Sequence, residues 1–303
     1  MIFVAIVVWY HPENLGPNQA VQNIFTYSSF CDKIYIIDNS PNDNSNLAFQ
    51  IPNSKYIPNF DNLGIARAQN LGCEVAINEG HSWAMTMDQD SSFDNDEIFL
   101  YLNEVNKINS ENNLVVSFSP KIINQNSSES YFENLKKNLK NRLIVPILNE
   151  NKRPFQKLSD YEYHDRVLAS GNIINLDIWK KIGKFNEDLF IDDVDYEFCY
   201  RLVKNGFKIA KINKCKMKHQ SIGSIKTIFP HSYRYSKERI YYITRNKVFI
   251  IKQYPEFAQK YKYKREIVKI VLEKLFYFEL ISLTYSIKGI IDGKNNKLGK
   301  YKY

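Results

Sequence analysis

Two carboxylates one residue apart, Asp88 and Asp90, end the short apolar run Trp83–Met87 and precede two serines. Paired hard oxygen donors at this spacing suit a Mg²⁺ or Mn²⁺ ion that also takes phosphate oxygens. A D-x-D run alone is common in solvated loops, so the other polar clusters of the chain decide its weight. Residues 190–201 gather Asp192, Asp193, Asp195 and Glu197 within six positions. The first two match the preference of a helix N-terminus for negative charge. The crowding at Asp195 and Glu197 goes further: mutual repulsion raises one pKa and makes a general base for a hydroxyl proton. His219 follows a short strand, and beside a D-x-D pair a histidine can complete a metal site. Asp38 precedes the turn Asn39-Ser-Pro-Asn42 and either caps it or bonds a ribose or nucleobase. Arg67 lies in the first turn of a helix opened by Asp61-Asn62-Leu-Gly64, where free N–H groups and a guanidinium fork favour phosphate or base oxygens. G-x-G-x-x-G is absent, so this is no dinucleotide fingerprint. Ser170-Gly171-Asn172 ends a further apolar stretch, where a glycine lets another molecule come close to the backbone.

Presenting these groups together requires a sheet. Ile2–Val8 is a continuous β-branched run, as in a parallel strand buried on both faces. A helix over about 18–30 follows, then strand Lys33–Asp38, an extended piece at Tyr56–Pro58, a helix to about Asn78, strand Trp83–Met87, helix Asp94–Ile108 and strand Leu114–Phe118. This alternation predicts an α/β fold with a mostly parallel sheet flanked by helices. In such sheets ligands bind at the carboxyl ends of the strands, where Asp38 and Asp88 fall. Residues 124–160, rich in Asn, Ser and Lys, read as loops or an edge hairpin. Strand Val167–Asn172, helix Leu176–Ile182, helix Asp193–Asn205 and strand Phe207–Ile212 then follow, with Gly183 and Gly206 as helix stops. Beyond His231 the chain reads as basic and mainly helical.

The chain has 303 residues and a net charge of +8, unevenly spread. Residues 1–200 hold 16 Lys/Arg against 27 Asp/Glu; residues 201–303 hold 25 against 6. A basic tail on an acidic body points to an anionic partner surface, nucleic acid or lipid headgroups. No nucleic-acid-binding motif is present, so none is expected as a partner. The four cysteines have neither C-x-x-C nor zinc spacing and read as reduced thiols of a cytoplasmic protein. The apolar stretch Ile267–Ile291 is broken by Lys269, Glu273, Lys274, Glu279 and Lys288, which predicts an amphipathic surface helix and not a span.

Taken in order, Val8-Trp-Tyr-His-Pro12, Ile37-Asp-Asn-Ser40, Asn62-Leu-Gly-Ile-Ala-Arg-Ala-Gln-Asn70, Thr86-Met-Asp-Gln-Asp-Ser91, Ser170-Gly-Asn172 and Phe190 to Arg201 resemble glycosyltransferase family 2. Within it the chain is most similar to the bacterial rhamnosyltransferase group, whose members carry a D-Q-D-S run and an F-I-D-x-V-D-x-E-W-C-x-R segment. The resemblance spans roughly residues 3–250, and Ile290-Ile-Asp-Gly293 and Gly299 are also similar to that group's C-terminus. Phe198 stands where those relatives often have Trp.

The resemblance implies a GT-A catalytic domain over residues 1–225 and a basic helical region over 226–303. It implies that Asp38 and Arg67 hold the donor's nucleobase, with the backbone near Trp9 and His11 lining that pocket, Asn62 also on the donor and Asp88 on the ribose. Asp90 would hold Mg²⁺ or Mn²⁺ on the donor diphosphate, with His219 beside it, and Asp195 would be the base. Ser170, Gly171, Asn172, Asp192 and Glu197 would lie on the acceptor side. The implied reaction is an inverting transfer from a nucleotide sugar, dTDP-L-rhamnose first and UDP-hexose or UDP-galactofuranose as alternatives, to a lipid-linked or cell-surface glycan. The basic tail would hold the enzyme on the cytoplasmic face of the bacterial membrane. A nucleotide-diphosphate binder without turnover is the reading from another class, and intact Asp90 and Asp195 argue against it.

Overall fold

The computed structural model describes residues 1–94, 96–124, 159–220, 225–226 and 233–302; most of the expected 124–160 loop region lies outside the described residues. The first apolar run forms β1 (Val4–Trp9), buried at every position because the sheet is covered on both faces. Its side chains alternate: Ala5, Val7 and Trp9 enter one apolar cluster and Val4, Ile6 and Val8 the other, the two-residue period of a strand. β1 lies between β2 (Ile34–Asp38) and β4 (Trp83–Asp88), with β3 (Ser54–Pro58) outside β2, all parallel. The register pairs Trp9 with Asp38 and Val8 with Asp88. Both carboxylates therefore finish strands at one sheet edge.

Beyond β4 the sheet becomes mixed. Strand β8 (Asn172–Asn175) runs antiparallel to both β4 and β6 (Val115–Asn124), and β9 (Lys208–His219) runs parallel to β6. The short β5 (Ser91–Phe93) pairs antiparallel with the end of β9, and β7 (Tyr161–Tyr163) also pairs with β9. Two differences from the sequence reading matter. The strand expected over Val167–Asn172 begins only at Asn172, leaving residues 167–171 as an irregular approach to the site. The strand expected to stop at Ile212 continues to His219, and that extra length carries the histidine across to β5.

One face of the sheet is covered by α1 (Gln19–Phe25) and α4 (Glu97–Glu111), the other by α3 (Ile65–Asn78), α5 (Leu176–Lys181) and α6 (Val194–Lys204); the one-turn α2 (Ser45–Ala48) leads into β3. The C-terminal region folds as α7 (Lys237–Gln253), α8 (Pro255–Lys260), α9 (Tyr263–Phe276) and α10 (Leu280–Lys294). Ser236 starts α7 by accepting the Arg239 N–H at 3.2 Å, a conventional N-cap. The single amphipathic helix expected over 267–291 is instead two helices, parted where Phe278 takes a left-handed φ of 54°. None of the four cysteines is paired, and no helix among the described residues is long and apolar enough to cross a membrane.

Candidate active site

A cavity of about 950 Å³ opens at the edge where β1 and β4 end. Asp88, Asp90, Asp192, Asp195, His11 and His219 all line it, so residues spread over 200 positions meet there. On its far side α7 and α9 supply Arg239, Lys247, Lys269 and Ile270. The basic region is thus a wall of the cavity.

One ligand atom each from Asp88, Asp90 and His219 falls within 4.8 Å of the others. His219 Nδ1 is 3.3 Å from Asp90 Oδ1 and 2.7 Å from Ser91 Oγ. Ser91 Oγ in turn meets Ser170 Oγ at 2.7 Å, and Ser170 Oγ accepts the Asp88 N–H at 3.2 Å. Both serines are buried. His219 Nδ1 is thus shared between the Ser91 hydroxyl and the Asp90 carboxylate. Two hard oxygens and an imidazole fit a divalent cation that also accepts phosphate or water. Gln89 holds the pair in place from between: its carboxamide accepts from Tyr10 N at 2.8 Å and donates to Tyr10 O at 3.0 Å.

Asp195 sits in the first turn of α6, directly after the loop at residues 190–193. Its carboxylate accepts from Tyr196 N at 2.9 Å and Ala169 N at 3.1 Å. Burial pushes its pKa up to about 7; the two N–H groups pull the other way, and the Asp193 and Asp88 charges add to the rise. A carboxyl poised near neutrality is suited to general-base work.

The loop that presents it is strained. Phe190, Asp192 and Asp193 all take φ near +60°, a region that costs non-glycine residues about 1–3 kcal/mol each. Buried residues of α7 hold it there. Arg245 donates to the carbonyl oxygens of Asp188 at 3.0 Å and Leu189 at 2.8 Å. The Asn246 amide reaches the carbonyls of Leu189, Ile191 and Asp192 at 3.0, 2.7 and 2.8 Å. The Phe190 ring stacks on Tyr242, and its carbonyl accepts the Ile65 N–H at the start of α3. Gly64 must be glycine there: its φ is 85°, and a Cβ would lie 2.6 Å from Phe190 O.

Asp192 and Asp193 lie at the N-terminus of α6, with Asp193 as its N-cap residue, though neither side chain caps the helix by a hydrogen bond. Asp192 pairs with Arg239 at 3.0 Å. Asp193 accepts from Tyr263 at 3.1 Å and lies 3.9 Å from Lys247; its pKa is raised by burial, against the pull of Lys247.

Several expected site residues do not line the cavity. The Asp38 carboxylate is buried and accepts from Tyr56 at 2.7 Å, Asn44 at 2.8 Å and Ser40 N at 2.9 Å, so it organises its own turn. Arg67 pairs with Glu187 at 3.1 Å. The Trp9 side chain belongs to the core, and Asn62 accepts from Gly64 N at 3.0 Å. Gly171, expected to admit an acceptor, has its open side filled by Met217 and Pro120. Asn172 bonds Ser117 at 2.8 Å inside the sheet. Glu197 is taken by Arg201 at 2.8 and 2.9 Å and by Tyr254 at 2.6 Å. Its partners are structural, and the expected crowding with Asp195 does not occur.

One residue was missed. Gln69 on α3 is buried against the cavity, and neither end of its carboxamide has a hydrogen-bond partner among the described residues. A buried amide without partners is costly, which makes Gln69 a candidate ligand contact. Its sequence signal is a long polar side chain one turn after Ile65, on the inward face of α3.

No family model matches the chain. A curated relative, the dTDP-rhamnosyl transferase RfbF of Shigella flexneri, is 26% identical over 254 residues, covering 82% of this chain and 79% of that protein. Among solved structures, S. aureus TarS 1–349 in complex with UDP-GlcNAc superimposes with a TM-score of 0.54 at 15% identity, over 97% of this chain and 81% of that one. GalNAc-T7 with UDP, GalNAc and Mn²⁺ gives 0.53 at 13% identity over 88% of this chain, which spans only 54% of that longer protein. The shared fold is that of the GT-A glycosyltransferases, and with its ordered motifs gathered at one sheet edge the chain is similar to the bacterial rhamnosyltransferases of family 2.

Proposed function

We propose that the protein is an inverting, metal-dependent glycosyltransferase that moves L-rhamnose from dTDP-rhamnose onto a lipid-linked or cell-surface glycan. The observation that carries the chemistry is the placement of Asp195 and the Asp88–Asp90–His219 cluster on one cavity. Asp195 takes the proton of an acceptor hydroxyl, whose oxygen forms a bond to the anomeric carbon. The bond from that carbon to the diphosphate oxygen breaks, and the nucleotide diphosphate leaves with the electron pair. Attack opposite the leaving group inverts the anomeric centre. Asp90 and His219, with Asp88 in the same cluster, would hold a Mg²⁺ or Mn²⁺ ion, which would supply positive charge against the diphosphate.

The donor's nucleoside half lies on the β1 side, where His11 and Gln69 line the cavity. Gln69 offers a donor and an acceptor side by side, complementary to a pyrimidine base edge. The dTDP-rhamnose assignment is supported by the named activity of the Shigella flexneri relative and its coverage of both chains. The lysine- and arginine-rich wall of the cavity supports an anionic, lipid-linked acceptor and a position on the cytoplasmic membrane face.

The test is a donor panel. Purified protein is incubated with dTDP-rhamnose, UDP-glucose, UDP-galactofuranose and UDP-GlcNAc, with Mn²⁺ or with EDTA, and released nucleotide diphosphate is measured. Release from dTDP-rhamnose above the others, lost in EDTA, is expected. Preference for a UDP-sugar would overturn the donor, and full activity in EDTA the metal role.

A further inference from the structure

The faces of α9 divide by chemistry. Glu266, Lys269, Ile270 and Glu273 recur at helical spacing and line the cavity, so α9 forms its outer lip. Val268, Leu272, Leu275 and Phe276 fall on the opposite side and are exposed. The apolar surface continues through Phe278, 85% exposed in the turn, to Leu280, Ile281, Ile287 and Ile291 along α10. Exposed apolar residues scattered singly are ordinary, but nine of them on two consecutive helices and the turn between them have the pattern of an interaction surface.

Charge decides what covers it. The exposed charged residues of these two helices are all cations: Lys264, Arg265, Lys269, Lys288 and Lys294. Their acids are paired with lysines or buried. Glu266 pairs with Lys247 and Glu279 with Lys274, while Glu273 and Asp292 are buried. A second copy docked through the same patch would set this cationic rim against itself. An anionic bilayer complements it, with headgroups meeting the lysines and the acyl boundary taking the apolar side chains. We infer that the α9–α10 hairpin docks on an anionic membrane, laying the lip of the cavity at the lipid surface. The inference rests on the lipid-linked acceptor proposed above, since such a substrate would enter from that side.

The test uses the full chain and phosphatidylcholine vesicles with and without phosphatidylglycerol, followed by flotation. Parent protein is expected to bind the anionic vesicles and to keep part of that binding in high salt, which screens headgroup attraction but not burial of apolar groups. Phe278→Ser and Leu272→Ser are each expected to weaken partitioning about tenfold, the effect of withholding one large apolar side chain. Phe49→Ser, an equally exposed phenylalanine elsewhere (79%), should change nothing. Vesicle-free donor hydrolysis should be unaltered in Phe278→Ser, so absence of that activity in the parent would count against the proposed reaction and not against docking. Parent-like partitioning of both hairpin variants would overturn the inference. So would a concentration-dependent dimer that Phe278→Ser dissociates, which would assign the surface to a second copy.

Discussion

Asp195 carries the sharpest consequences of a single side chain. A base must be deprotonated to work, so with its pKa pushed up to about 7 the rate of transfer should climb as pH rises through 7 and level off above. Asp195→Asn should lower transfer about 10²–10⁴-fold while leaving donor affinity near that of the parent; a near-parental rate would remove it from the chemistry. The same shift bears on stability with the opposite sense. The folded pKa lies above the ordinary 3.8, so the native state holds a proton that the unfolded chain has released between about pH 4 and 7. Stability from this group is present below that window and lost across it. The melting temperature of Asp195→Asn should therefore gain on the parent between pH 5 and 8, and a constant gap would show that the carboxyl is not perturbed. Ser91 acts one bond further out. Its hydroxyl holds His219 Nδ1, and removing such a support to a metal-ligating histidine costs about 10–100-fold in affinity. Ser91→Ala should weaken Mn²⁺ binding by that factor in a titration followed by electron paramagnetic resonance, and Ser91→Thr should restore it. Unchanged affinity in the alanine variant would leave the serine a purely structural role.

Among the elements, α7 governs the catalytic loop. Asn246 supports three backbone carbonyls of residues 189–192. Asn246→Ala leaves Leu189 O to Arg245 and removes this support from the Ile191 and Asp192 carbonyls, at about 1–3 kcal/mol for buried polar groups without partners. A urea midpoint should fall accordingly, and transfer should fall further than stability, because the loop can relax out of its left-handed backbone. Equal, small changes in both would mean that the loop holds itself. The elements show what the sequence made legible. β1, β2 and β4 were readable because burial on both faces demands unbroken apolar runs, and their ends placed Asp88 correctly at the ligand edge. The reach of β9 was not readable: Lys214, Lys216 and Lys218 alternate with Cys215 and Met217, so its polar half resembles a loop until β5 pairs with it. Nor could local pattern reveal the fate of Asp38, Arg67 and Glu197. Each sits at a suggestive position, and its actual partner is fixed by packing; Glu187 lies 120 positions from Arg67. Gln69 passed unnoticed for the converse reason, since an amide on an amphipathic helix reads as surface.

At the scale of the whole molecule, the charge asymmetry has a second outlet besides an outside partner. Asp192, Asp193, Asp165 and Asp61 of the acidic part pair with Arg239, Lys247, Lys260 and Lys300 of the basic part. The two halves neutralise each other, the first two of these pairs at the cavity wall and the other two outside it. A fragment ending at residue 225 would lose these pairs and the Arg245–Asn246 support, and would expose the underside of α6, where Tyr200 now stacks on Phe257. Such a fragment is expected to bind the hydrophobic dye ANS strongly and to transfer no sugar. A soluble, active 1–225 fragment would show that the helical region is an accessory.

The hold of Arg245 and Asn246 on residues 188–192 also sets a time order. A ribosome finishes the catalytic carboxylate at position 195 some fifty residues before the side chains that hold its loop in place. During that interval the nascent chain holds Asp195 without the side chains that fix its loop. The left-handed backbone of residues 190–193 gains its support only once α7 has left the exit tunnel and packed against it, so this wall of the cavity is assembled late in synthesis.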